Sequence, residues 1–84
     1  MNQTETREKP PFEFFVDAIK YEANDASMTG AQIKAIAKVT PTYQLYEEEE
    51  GNTPDKPISD SQAVDLAGKI KHFYAVPPAT FGLA

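Results

Sequence analysis

Few side chains in this sequence are equipped for covalent chemistry. There is no cysteine to act as a nucleophile or thiolate ligand, and the one histidine, His72, cannot build a metal site alone. No glycine-rich loop has the spacing that cradles phosphates, and no serine stands in a recognisable nucleophile pattern with His72. Thirteen acidic residues supply many carboxylates, but no spacing singles out an acid–base pair. Catalysis by this chain is therefore not expected. What remains are side chains suited to recognition: aromatic residues alternating with apolar ones along short runs, and a tail, residues 77–84, with one glycine, Gly82.

Those side chains must be carried by a single small domain. A chain of 84 residues has room for one core, and a domain of that size buries only about 60% of its unfolded surface. Eight basic residues against thirteen acidic ones give a net charge of −5, the wrong sign for neutralising phosphates, so nucleic-acid binding is not expected. No basic amphipathic stretch suits an anionic membrane, and no apolar run approaches the ~20 residues of a spanning helix. Residues 1–11 are polar, lack the apolar segment of a signal peptide and end in Pro10-Pro11. They read as a leader without a core of its own, and the expectation is a cytoplasmic protein.

The first patterned run is Phe12–Val16, where Phe12, Phe14 and Val16 alternate onto one face of a strand. Asp17-Ala18 connects it to Ile19–Ala23, a second alternating run, predicting a hairpin with a weaker turn than Asp-Gly would give. Asn24–Ser27 breaks the pattern. Thr29 then predicts a helix N-cap, and Ile33, Ile36 and Ala37 form one stripe of a helix over 30–39. Lys34 and Lys38 suit its C-terminal dipole, and Pro41 prevents continuation. Tyr43–Tyr46 alternates again and runs into the solvated acidic segment Glu47–Glu50. Contiguous carboxylates of that kind lack the spaced ligands of a calcium loop. Lys56–Ile58 predicts an edge strand that tolerates Pro57. Ser59-Asp60-Ser61 predicts the cap of one helical turn burying Val64 and Leu66, and His72–Val76 predicts the last strand. One helix across a mixed sheet of four or five strands is an economical α+β solution.

The segments FFVDAIKYE, MTGAQIKAIA, YQLYEEEEG, AVDLAGKIKHFYAVPP and ATFG resemble the multi-ubiquitin domain family of bacteria, over roughly residues 12–82. The most specific pieces are the FFVD start, the TGA before the helix and the FYAVPPATFG end. The resemblance implies a ubiquitin-like β-grasp fold over 12–76, with the first and last strands side by side. It also implies a protein modifier, encoded near relatives of ubiquitin-activating enzymes, conjugating enzymes and deconjugating peptidases, with antiviral defence as one setting for such operons. A single module without an internal repeat fits a free modifier better than a polyprotein precursor. If the strands pair as in ubiquitin, Phe15, Tyr46, His72 and Tyr74 share the sheet face turned from the helix and form a docking surface.

The same resemblance gives the tail its chemistry. An activating enzyme would condense the terminal carboxylate with ATP to an acyl adenylate and pass the acyl group to its own cysteine as a thioester, which a target amine then attacks. The chain itself would bind no cofactor. Glycine suits the reacting position because it has no Cβ, and Pro77, Pro78, Ala79, Thr80 and Phe81 would be the segment that partners grip. Prolines favour extended backbone. Six residues from Val76 to Gly82 reach up to ~20 Å at about 3.3 Å each. The end of this sequence departs from eukaryotic ubiquitin in lacking Gly-Gly, and Leu83-Ala84 lies beyond Gly82, so if Gly82 is the reactive terminus a peptidase must first cut between Gly82 and Leu83. Two alternatives compete with this reading: a noncovalent adaptor using the sheet face, and a sulfur carrier, which the Gly82-Leu83-Ala84 ending disfavours. Lys20, Lys34, Lys38, Lys56, Lys69 and Lys71 are acceptor candidates if the modifier forms chains.

Overall fold

The alternating run near the N-terminus folds as its pattern demands. In the computed structural model, which describes residues 9–79, strand β1 (Phe12–Val16) turns Phe12, Phe14 and Val16 into the core. It pairs antiparallel with β2 (Ile19–Ala23), Val16 opposite Ile19. Both residues of the turn between them are left-handed, Asp17 at φ 53° and Ala18 at φ 70°. That is the twist a two-residue hairpin needs, here made without glycine. The turn is held from outside: the Asp17 N–H donates to the Phe73 carbonyl (2.9 Å), and its carboxylate accepts from the Ala75 N–H (3.2 Å).

The expected break at Asn24–Ser27 is shorter than its sequence indicates, because β3 (Ser27–Thr29) begins at Ser27. Thr29 does cap helix α1 (Gly30–Ile36). Its hydroxyl accepts from the Gln32 N–H, and the Gln32 side chain accepts from the Thr29 N–H, a reciprocal capping box. The helix spans seven residues and not the expected ten. Its end is a Schellman closure, with Val39 N–H on the Lys34 carbonyl and Lys38 N–H on that of Ala35. Lys38 occupies the left-handed position at φ 61° that glycine usually takes.

The remaining strands are β4 (Gln44–Glu47), β5 (Lys56–Ile58), β6 (Ala63–Asp65) and β7 (Lys71–Val76). The helical turn expected after Ser59 is absent, and residues 63–65 instead pair antiparallel with β3 as a small second sheet. Val64 and Leu66 are buried as expected, but by extended backbone that reaches the Ala26 carbonyl through the Leu66 N–H. The main sheet has the order β2-β1-β7-β4-β5, with β1 and β7 parallel and the other pairs antiparallel. Ile33 of the helix lies in one core with Phe14, Leu45, Ile58, Leu66 and Phe73, and Phe14 meets Phe73 edge-on at 6.2 Å.

Lys34, one of the acceptor candidates, lies buried. It is 5% exposed, and its ammonium lies 2.8 Å from each of three oxygens: the carbonyls of Pro41 and Tyr43 and the Asp60 carboxylate. A buried ammonium is tolerable only when its donors are so occupied. It ties the segment after the helix to the loop before β6. Gly30 closes the other end of that arrangement. Its N–H donates to the Gln62 carbonyl, and a Cβ at this position would collide with the Ser59 carbonyl oxygen.

Candidate functional site

The parallel pairing of β1 with the central strand β7 decides what lies on the outer face of the sheet. Since successive residues of a strand point to opposite faces, burying Phe14, Val16, Leu45 and Phe73 turns Phe15, Tyr46, His72 and Tyr74 outward. The register sets Phe15 beside His72 and Tyr46 beside Tyr74. Both pairs stack. The Phe15 and His72 rings lie 4.7 Å apart at 8°, and Tyr46 and Tyr74 lie 5.3 Å apart at 11°. His72 and Tyr74 are two residues apart on the same face, so the two stacks form one band across three strands.

The band has a polar rim. Lys20, opposite Phe15 on β2, forms an ion pair with Glu13 at 3.6 Å. At the other end the Tyr74 hydroxyl donates to the Asp55 carboxylate at 2.7 Å, and the second Asp55 oxygen accepts from the Glu49 N–H at 2.9 Å. These bonds, first that of Glu49 and then that of Tyr74, hold Asp55 below its usual 3.8. The Asp55 carboxylate in turn pushes the Tyr74 phenol up to about 12. Asp55 was not singled out by sequence: it lies nineteen residues from Tyr74 and becomes its neighbour only when β5 folds back beside β4. In the acidic run, Glu49 pairs with Lys56 (3.4 Å) and Glu50 with Lys69 (4.0 Å).

Beyond Tyr74 the same face carries Val76, 39% exposed, at the end of β7. Pro77, Pro78 and Ala79 follow it, exposed and outside any strand. Hence the chain leaves the domain from the middle of the sheet, in line with the aromatic band. Thr80, Phe81, Gly82 and Leu83 lie outside the described residues. Among the described residues, no three His, Asp or Glu side chains gather to hold a metal, and no helix is long and apolar enough to cross a membrane.

A mixed five-stranded sheet with parallel first and last strands at its centre, gripped around one helix, defines a ubiquitin-like β-grasp protein. The family model described as Multiubiquitin matches residues 12–77, and the chain belongs to that family. No curated protein and no solved structure matches the chain.

Proposed function

We propose that this protein is a bacterial, cytoplasmic modifier that is cut between Gly82 and Leu83 and joined through the Gly82 carboxylate to an amine of a target protein. The observation that carries the proposal is the exit of residues 77–79 from the central strand beside an outward-facing, half-buried aromatic band, in a chain of the multiubiquitin family. A ubiquitin-activating-like enzyme that docks on Phe15, Tyr46, His72 and Tyr74 would receive the following segment in its cleft without moving the domain. Aromatic residues with a polar rim are the usual make-up of such an interface centre. The chemistry belongs to the partners. The activating enzyme uses ATP to make the acyl adenylate and releases pyrophosphate, and its thiolate displaces AMP to give the thioester. The conjugating enzyme and target amine complete the transfer, and a peptidase prepares or removes the modifier. This chain contributes no catalytic group and binds no cofactor.

The aromatic band alone also fits a noncovalent adaptor. Activation assays on the protein shortened to Gly82 separate the two. ATP-dependent thioester formation with the activating enzyme, weakened about tenfold or more by Tyr46→Ala, supports the modifier. Partner binding that survives removal of residues 79–84 unchanged, without a thioester, supports the adaptor.

A further inference from the structure

The register that builds the aromatic band also decides which charges flank it. On β2, Ile19, Tyr21 and Ala23 lie opposite the core residues Val16, Phe14 and Phe12, which turns Lys20 and Glu22 onto the outer face. Glu22 stands directly opposite Glu13. Like charges so paired destabilise a sheet. Lys20 answers Glu13 at 3.6 Å, but among the described residues Glu22 has no cation within ion-pair distance. At the other end of the band, Glu48 continues the ladder just past β4, its N–H donating to the His72 carbonyl at 2.8 Å. Alternation from the inward Leu45 sets Glu48 on the same face as Tyr46. Its carboxylate too is without a cation among the described residues, and Asp55 on the Tyr74 hydroxyl adds another negative charge there. The two acidic ends lie on β2 and beyond β4, three strand spacings or about 14 Å apart across the sheet. Lys20 is the one ammonium at the outward positions of the described strands.

We propose that the surface of the activating enzyme that covers this face is basic: an apolar centre seated on the four rings, with lysine or arginine side chains reaching Glu22 at one end and Glu48 at the other. The inference rests on the modifier reading and adds the chemistry of its partner. Charge selects the occupant. A second copy of this chain would lay carboxylates against carboxylates, and nucleic acid or an anionic lipid surface would be repelled in the same way. A basic protein surface instead relieves the Glu13–Glu22 opposition and gives Glu48 the cation it lacks. The rings and the carboxylates then act on different rate constants. Rings at the centre hold the complex once formed, whereas charges at the rim steer the encounter and are screened by salt.

Surface plasmon resonance of the full chain with the activating enzyme encoded beside it, without ATP, tests this. The association rate constant should fall about tenfold when salt is raised from about 50 to about 500 mM. The double variant Glu22→Lys, Glu48→Lys should associate about tenfold more slowly at the lower salt and lose the salt dependence, with dissociation changed by no more than about twofold. Both positions are exposed, and the change at Glu22 removes a like-charge pair, so the variant keeps its fold. Tyr46→Ala, at the centre, should instead speed dissociation about tenfold or more. Association that neither salt nor the double reversal alters, in a protein that still forms the thioester, would overturn this inference and leave the modifier role standing. Absence of both binding and thioester would remove the modifier role and this inference with it. A dimer of the chain that Tyr46→Ala dissolves would also overturn it, because a second copy would then be the occupant of the face.

Discussion

Replacing Lys34 by methionine keeps the aliphatic stem and removes the ammonium that joins three segments. The Asp60 carboxylate is 64% exposed and can rehydrate, so the ion pair itself should count for little. The carbonyls of Pro41 and Tyr43 are different, since both accept from Lys34 at 2.8 Å in a part-buried position. Hydrogen bonds to a charged donor contribute about 1.5–3 kcal/mol each. Two of them, offset by relief of the buried charge, put the net loss at about 2–3 kcal/mol. A domain of this size has only about 4–12 kcal/mol in total, and each kcal/mol shifts Tm by roughly 4–8 °C. Urea unfolding followed by circular dichroism should therefore show a markedly lower midpoint at unchanged slope, while Asp60→Asn should cost under about 1 kcal/mol. Lys34 should also be the slowest lysine to acetylate in the native protein. A Lys34→Met loss below about 0.5 kcal/mol, or Lys34 acetylation as fast as that of Lys69, would refute this account of the junction.

Other consequences follow from single positions. In an ultraviolet titration, one of the four tyrosines should ionise near pH 12 and return toward 10 in Asp55→Asn. Because the folded value of Tyr74 is raised, its bond to Asp55 contributes fully below pH 10 and is lost as pH climbs through about 12. The lowered value of Asp55 works the other way, its contribution present above 3.8 and lost as pH falls through the depressed value. Lys38→Gly should stabilise by about 0.5–1 kcal/mol in urea unfolding by removing a Cβ from a left-handed residue, and Lys38→Ala, which keeps the Cβ, should not. Gly30→Ala should destabilise by about 1–3 kcal/mol, because the Ser59 carbonyl must move, and a gain in stability would contradict the close approach.

How much of this was legible depends on how many residues carried each signal. The alternation of Phe12, Phe14 and Val16 and the Thr29 cap are local patterns, and both appear in place. The strands β3 and β6 went unrecognised because each is three residues long and buries one side chain, Met28 or Val64. A period of two cannot register in so short a run. The same brevity let Ser59-Asp60-Ser61 pass as a helix cap. Burial of Lys34 left no trace in sequence, since two of its partners are backbone carbonyls. Alternation separated Phe15 from Phe14 and Tyr46 from Leu45, but only the parallel β1–β7 register brings Phe15 onto His72. That register came from family resemblance, and hydrophobic pattern did not supply it.

The claim at the centre of this account is transfer through Gly82. Intact-mass measurement of the protein co-expressed with its genomic neighbours tests it most directly. Loss of Leu83-Ala84, with adducts joined through the Gly82 carboxylate, is the expected result. An unchanged mass, with the neighbouring enzymes demonstrably active, would contradict it.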